Sequence, residues 1–509
     1  MATITRIAAA AACLASTGLV ANQPVVPPHL GGIDALPAAT FRQNLAVAIR
    51  IHRAADAARV TRAVADAFGK VGYAGLGPRA AAILEAARRD PRSEAGDVLR
   101  AVERIGGKWA GGQSEIAKQY YATFNAYGRA YAMGPAGVPL LGGNPRPWQV
   151  TPLITRDARL GAGYSFGSPA YPSGHTTDDY AQSLVLALAF PERAQPILAR
   201  ASDYAESRIV LGVHYPLDVM GGRILATGAI LRLLNERSTA FGIARPRGFA
   251  AAAAILRAEL AHRCGSGVPL CDSPYATRVP DRASYRTRLT YHLAPVGATD
   301  APPVVPPGAE RMLATRFPYL DPQQRRDVLA TTELRSGYPL DDGSGFARLD
   351  LFAAAGGYGA FTRTVTVRMP GGHDVFSNDI GGIGGLTKAG KGTLELTGRN
   401  TFAGGLTIRA GTLASHAGGL GRGPIRNDAA LRLDVPVDAR VTLPITGIGR
   451  IVKTGAGTLE LTAIGKFRGM ITVNDGQVVL RCPSGQRDTM RRLHAGSSAR
   501  VAGRRCRRP

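Results

Sequence analysis

Lysine is scarce in this 509-residue chain: seven of its 62 basic residues are Lys, so the rest are Arg. Acidic residues number 37, which leaves a formal net charge of +25. A general basic excess is the signature of scattered surface Arg, and no nucleic-acid partner is expected from it. Part of the excess is local, because the stretch from Arg481 to Pro509 holds nine Arg and one Asp. Cysteine is also rare, at five, which excludes a disulfide-built scaffold. Cys264 and Cys271 flank a loop with Gly265, Gly267 and Pro269, a spacing suited to one small disulfide. His, Cys and carboxylates nowhere gather at metal-ligand spacing, so no metal is expected. Apolar runs of spanning length are missing: Ser183–Phe190 and Ile224–Leu234 both stop early. No transmembrane anchor is therefore expected.

The N-terminus has a different character. Arg6 precedes an Ala/Leu-rich run from Ile7 to Val20, and Ala21 is small enough for cleavage. Residues 1–21 read as a secretory signal and 22–40 as a Pro-rich linker. The protein is expected to be exported by a bacterium, to the periplasm, the cell surface or the medium.

From residue 41 the pattern is helical. Phe41–Phe68, Pro78–Arg89, Ala95–Ile105 and Ser114–Met133 carry apolar residues at three-to-four spacing. Thr176–Phe190, Arg193–Leu211, Leu217–Asn235 and Phe249–Arg263 continue it. Gly106, Gly107, Gly111 and Gly112 are expected to interrupt the run. β-branched alternation is scarce, so residues 41–300 read as an all-α bundle. Residues 301–363 read as an extension packed on that bundle.

After about Thr364, Gly and Thr rise and short alternating runs appear. A shift of 65 overlays Gly384–Gly411 on Gly449–Gly476 with 13 of 28 positions identical, including Lys388/Lys453 and the whole Thr-Leu-Glu-Leu-Thr run. Stacked short strands with Gly at the corners imply a small β-solenoid over 364–480. These pieces resemble the autotransporter-associated β-strand repeat, at Lys453-Thr454-Gly455-Ala456-Gly457-Thr458-Leu459. With 29 residues after Leu480, no secreting β-barrel is expected within the sequence. Residues 481–509 read as a basic, disordered tail. Gly385-x4-Gly390-Lys391 nearly spells a phosphate-binding loop, but Gly392 stands where a hydroxyl is required and a strand follows instead of a helix.

Two clusters carry chemistry. Pro172-Ser173-Gly174-His175 places a turn before a helix start, where backbone N–H groups and the Ser173 hydroxyl make an anion cradle. Ser207-Arg208-x5-His214-x3-Asp218 places a carboxylate one helical turn from an imidazole. Asp218 can fix one ring nitrogen and leave the other free. Arg208 offers a planar fork for phosphate oxygens, and Asn144-Pro145-Arg146-Pro147 presents a second one.

In this order the motifs resemble the type 2 phosphatidic acid phosphatase superfamily, which includes soluble bacterial acid phosphatases, membrane lipid phosphatases and vanadium haloperoxidases. The resemblance implies a metal-independent acid phosphatase acting on phosphate monoesters of small phosphorylated substrates. His214 would be the nucleophile that becomes phosphohistidine, Asp218 would orient it, and His175 would be the general acid and base. Arg146, Ser173, Gly174 and Arg208 would hold the phosphoryl oxygens. No cofactor is implied. Vanadate enters only under the alternative reading of a vanadium-dependent haloperoxidase, and a non-enzymatic surface passenger is the other alternative. One departure stands out: the family's Lys, seven residues before the Arg, is here Pro139. Lys118 and Arg129 are the candidates to replace it.

Overall fold

The computed structural model describes residues 32–68, 74–124, 126–131, 143–161, 168–235, 246–264, 282–464, 466–480, 493–495 and 500–502. The expected signal segment, Pro139, and Cys13, Cys271, Cys482 and Cys506 lie outside them. The chain forms two compact units, one of Met1–Arg316 with Glu333–Ala355, the other of Phe317–Thr332 with Gly356–Pro509.

The first unit is helical. Its elements are α1 (Ala38–Arg53), α2 (Ala57–Phe68), α3 (Pro78–Arg89), α4 (Glu94–Glu103), α5 (Gly111–Phe124), α6 (Ala126–Ala130) and α7 (Pro147–Val150). There follow α8 (Gly174–Ala189), α9 (Ala194–Val210), α10 (Pro216–Asn235), α11 (Pro246–Cys264) and α12 (Arg282–Thr290). The second unit supplies α13 (Pro322–Thr332), and the first closes with α14 (Leu351–Ala355).

α10 is the axis of the bundle. Every residue from Pro216 to Leu231 is buried, as expected of a helix surrounded by others. It packs on α8, which also packs on α9. The close approach uses glycine: a Cβ on Gly222 would lie 2.7 Å from the Ser173 carbonyl oxygen. At the end of α11, Cys264 is disulfide-bonded.

The four glycines between Ile105 and Ser114 do not break the run. Arg104–Ala110 is π-helical and joins α4 to α5 without a loop. The wide turn brings Gly106 against α8, where a Cβ would lie 2.3 Å from Asp178 Oδ1. Gly106 therefore serves a close contact, not a chain break, and such π turns gather near functional sites.

The 301–363 segment divides between the units. Its part in the helical unit docks on α10, where Arg223 donates to the carbonyls of Leu349 (3.3 Å) and Ala347 (3.1 Å).

The second unit is an all-parallel β-solenoid. β1 (Val365–Arg368), β3 (Leu386–Ala389), β5 (Leu406–Ile408), β7 (Ile425–Asn427), β10 (Ile445–Gly447) and β13 (Lys466–Phe467) form one sheet. β2 (His373–Phe376), β4 (Thr393–Leu396), β6 (Thr412–His416), β8 (Ala430–Asp434), β11 (Arg450–Thr454), β14 (Met470–Val473) and β16 (Leu493–Ala495) form a second. β9 (Ala439–Val441), β12 (Thr458–Leu461), β15 (Gln477–Leu480) and β17 (Arg500–Ala502) form the third. Buried aliphatics stack in register: Leu394, Leu413, Leu431, Ile451 and Ile471 make one ladder.

One coil takes about 20 residues, as in the pairings Leu386 with Leu406 and Ile425 with Ile445. The 65-residue repeat is therefore three coils plus one side. It carries the Thr-Leu-Glu-Leu strand from the second sheet, at β4, to the third, at β12. The tail read as disordered contributes β16 and β17, which pair on β14 and β15. The unpaired edge of a parallel stack accepts another strand through backbone groups alone, so the tail needs no strong side-chain pattern.

Candidate active site

The structure brings the two motifs together: the Ser173 N–H donates to the Asp218 carbonyl at 3.0 Å, and Gly174, His175 and His214 line one cavity. Ser173 caps α8, its Oγ accepting from the Thr176 N–H at 3.3 Å and from the Thr176 hydroxyl at 3.0 Å. Gly174 opens the helix beneath a pocket. A Cβ there would lie 3.3 Å from both Lys118 Nζ and Ser114 Oγ, a tight fit that would press on both groups.

Arg208 lies in the last turn of α9, and Gly212 makes the following turn with φ of 72°. Pro216 then starts α10, as the fixed φ of Pro at a first helical position favours. This geometry sets His214 against Asp218, with Nδ1 3.0 Å from Oδ2. The same Oδ2 accepts the Tyr215 N–H at 2.9 Å, and Oδ1 accepts the Tyr127 hydroxyl at 2.6 Å. The carboxylate is fully buried. It therefore keeps the imidazole proton on Nδ1 and leaves a lone pair on Nε2.

Arg146 is extended (φ −79°, ψ 157°) ahead of α7, and its backbone N–H donates to Gln149 Oε1 at 2.7 Å. Its Nη1 donates to the Val213 carbonyl at 2.7 Å and stands 3.2 Å from His214 Nε2. Nη2 donates to Ser168 Oγ at 3.1 Å. Asn144 anchors the segment: its Oδ1 accepts the Tyr127 N–H at 3.0 Å and its Nδ2 donates to the Tyr121 carbonyl at 3.3 Å.

An open cavity of about 540 Å³ faces these groups, lined by Lys118, Arg146, Gly174, His175 and His214 among others. Ser173, Asp218 and Arg208 stand behind the wall. Arg208 is fully buried, donates to the Ala63 carbonyl at 3.1 Å, and lies 4.8 Å over the Tyr204 ring. Of the two candidates for the missing lysine, the structure brings Lys118 to the cavity, where it pairs with Glu115 at 2.7 Å. The side chain of Arg129 lies outside the described residues.

Burial and neighbouring cations shift the titrating groups of this cavity. Burial, with Arg208, Lys118 and Arg146 nearby, pushes His175 down to about 3. Burial, then Arg146 and Lys118, holds His214 well below its ordinary range. Burial pushes Asp218 up to about 7 against the bonds from Tyr127 and Tyr215. Lys118 is lowered by burial, with Glu115 opposing.

Asp178 and Asp179 read most simply as N-terminal helix carboxylates. Asp178 lines the cavity and accepts from Gln182 Nε2 at 2.5 Å. Asp179 is buried, and burial raises it to about 8. Sequence reasoning missed Tyr127 and Asn44. Asn44 Oδ1 accepts the Leu217 N–H at 3.0 Å and so steadies the start of α10. Among the described residues no cluster of three or more His, Cys, Asp and Glu could hold a metal. No helix among them is long and apolar enough to cross a membrane.

Comparison with known proteins gives a family match in each unit. Residues 126–240 match the PAP2 superfamily model, and residues 386–414 and 451–480 match the passenger-associated-transport-repeat. An acid phosphatase of Zymomonas mobilis is 44% identical over 85 residues, 17% of this chain and 31% of that protein. A non-specific acid phosphatase of Providencia stuartii is 42% identical over 64 residues, 13% of this chain and 26% of that protein. The autotransporter lipoprotein NalP of Neisseria meningitidis is 31% identical over 157 residues, 30% of this chain and 14% of that protein. The chain thus spans a third or less of each. The resemblances read from the sequence hold, each in its own unit.

Proposed function

We propose that the helical unit is an acid phosphatase that hydrolyses phosphate monoesters through a phosphohistidine on His214. One observation carries the reading: Asp218 holds His214 Nδ1 at 3.0 Å, while Nε2 stands 3.2 Å from the Arg146 guanidinium at the cavity. The matches to acid phosphatases and to the PAP2 superfamily support it.

The phosphoryl group would sit over the α8 N-terminus, between Lys118 and Arg146, with Arg208 behind. Backbone N–H groups and fixed cations suit the charge spread over its oxygens. The Nε2 lone pair attacks phosphorus and the ester P–O bond breaks. His175 gives its proton to the leaving alkoxide. Water then attacks the phosphohistidine, His175 takes the water proton, and the P–N electron pair returns to Nε2. Burial, then Arg208, Lys118 and Arg146, lowers His175. A substrate dianion beside the ring favours the protonated form from which it must donate. The pH profile should be bell-shaped, His175 needing its proton and the His214–Asp218 pair its negative charge.

We place this chemistry outside the cytoplasm. The similarities to NalP and to an extracellular serine protease of Serratia marcescens support export, with residues 1–21 as the leader.

The deciding experiment is hydrolysis of p-nitrophenyl phosphate across about pH 4–8, where histidines and carboxylates titrate. Turnover should resist chelator, be inhibited by vanadate and vanish in His214→Ala. Turnover untouched by that substitution would overturn the assignment.

A further inference from the structure

We infer that Tyr127 is a positioning residue for the His214–Asp218 pair, its hydroxyl fixing the carboxylate oxygen that the imidazole does not use. The inference rests on the phosphatase reading above. Asp218 Oδ2 is shared between His214 Nδ1 (3.0 Å) and the Tyr215 N–H (2.9 Å). Oδ1 receives the Tyr127 hydroxyl at 2.6 Å. Three donors thus hold a carboxylate with no exposed surface.

The phenol is fixed in turn. The Tyr127 N–H is bonded to Asn144 Oδ1 at 3.0 Å. Its ring meets Tyr215 at 4.9 Å, Phe41 at 5.6 Å and Tyr131 at 5.6 Å, all edge-on. Burial, with Asp218 nearby, pushes its ionisation well above the ordinary phenol value, so it stays a donor. The other groups facing Asp218 are Tyr131 just after α6, Tyr215 and His214 from the α9–α10 turn, Tyr171 ahead of α8, Lys118 on α5 and Arg146 ahead of α7. Tyr131 spends its hydroxyl elsewhere, on the Phe41 carbonyl at 2.8 Å.

The consequence is chemical. When Nε2 bonds to phosphorus the imidazole becomes cationic, and an ionised Asp218 stabilises it. Without the Tyr127 hydroxyl, Oδ1 loses a donor in a dry site and becomes more basic. It then takes up a proton at higher pH, and the pair loses its negative charge.

The test is Tyr127→Phe in the full chain, with kcat and KM for p-nitrophenyl phosphate followed across pH 4–8. The acid limb of kcat should move up by about one pH unit, consistent with loss of one charge-assisted hydrogen bond. On that limb kcat should drop about tenfold, while KM changes little. Tyr131→Phe should leave the limb in place. Replacing Tyr127 by 3-fluorotyrosine strengthens the donor without changing the fold, and should move the limb down. A limb that stays fixed in both Tyr127 variants overturns the inference. Nitrogen NMR of labelled histidine separates the two proposals without turnover, by following the pH at which the His214 signals change. If the wild type hydrolyses nothing but this titration moves in Tyr127→Phe, the phosphatase reading falls and the positioning role stands. If hydrolysis proceeds and the titration does not move, the positioning role alone falls.

Discussion

Ser173 and Asp218 are bonded through their backbones, the Ser173 N–H donating to the Asp218 carbonyl at 3.0 Å. The residue that caps the anion-binding helix is thereby tied to the residue that orients His214. Gly222 presses the same joint from the α10 side, its Cα facing the Ser173 carbonyl. Cradle and nucleophile are consequently one rigid piece, and a misplacement of about 1 Å between them would cost on the order of a hundredfold in rate.

Gly174→Ala tests the cradle. The added Cβ would come within 3.3 Å of Lys118 Nζ and Ser114 Oγ, in space a phosphoryl oxygen needs. The helix itself gains from the change, since Ala is the better helix former. The expected outcome is a thermal midpoint at or above wild type, with kcat/KM for p-nitrophenyl phosphate lower by about 10–100-fold. Unchanged kinetics would show that phosphate sits elsewhere.

Lys118→Met separates binding from folding. Lys118 is buried, its charge opposed by desolvation and supported by Glu115. Removing it should leave stability unchanged or slightly raised, because a buried cation is costly to keep. Inhibition by vanadate should weaken by about 10–100-fold, the worth of one hydrogen bond to a charged group. Equal inhibition of both proteins would mean that Lys118 is not the missing cation of the motif.

Stability should fall with acid, and His175 is a main reason. Folding holds its pKa at about 3, against 6.5 for the free side chain. Between these values the unfolded chain binds the extra proton. The contribution is therefore fully present above about pH 6.5 and is lost as pH falls toward 3, by up to ~1.4 kcal/mol per pH unit. The His214–Asp218 pair acts in opposing senses, since Asp218 gains a proton on folding while His214 gives one up. Thermal midpoints measured between pH 4 and 7 should fall less steeply in His175→Gln than in wild type. Parallel slopes would remove His175 from the explanation.

Much of the site was legible because its parts are local. Ser173, Gly174 and His175 adjoin one another, and His214 and Asp218 lie one helical turn apart, so spacing alone predicts the cap and the hydrogen-bonded pair. What spacing cannot give is contact across the fold. Lys118 reaches the cavity from α5, and Asn44 reaches Leu217 from 173 residues away; neither leaves a local pattern. Tyr127 and Tyr131 read only as apolar positions of a helix, although one hydroxyl serves Asp218. The glycines at 106–112 misled because glycine marks both breaks and close contacts. In the solenoid the repeat was legible but the coil was not. Identical strands recur on different sheets, and nothing in a linear period reveals that rotation.

The repeated Lys388 and Lys453 give the last prediction. Neither is exposed, which is unusual for lysine unless it is satisfied internally. Lys388 Nζ donates to the carbonyls of Ala389 (2.9 Å), Gly390 (2.8 Å) and Ala410 (3.2 Å), tying one coil to the next. Lys453 does the same with Gly455 and with the Asp475 carbonyl, the latter at 2.8 Å. The carbonyls of Gly390, Ala410, Gly455 and Asp475 sit at bends between strands, while that of Ala389, at the end of β3, also accepts the Met369 N–H at 3.0 Å. Lys388→Met keeps the length of the stem and removes the donors, leaving buried acceptors unmet at about 1–3 kcal/mol each, partly relieved by water. A loss of about 2–4 kcal/mol in solenoid stability is expected, read as faster amide exchange in β3 to β6. Lys391→Met, three residues on and exposed, should stay within about 0.5 kcal/mol of wild type. If the two variants exchange alike, the repeated lysine is not what locks the coils.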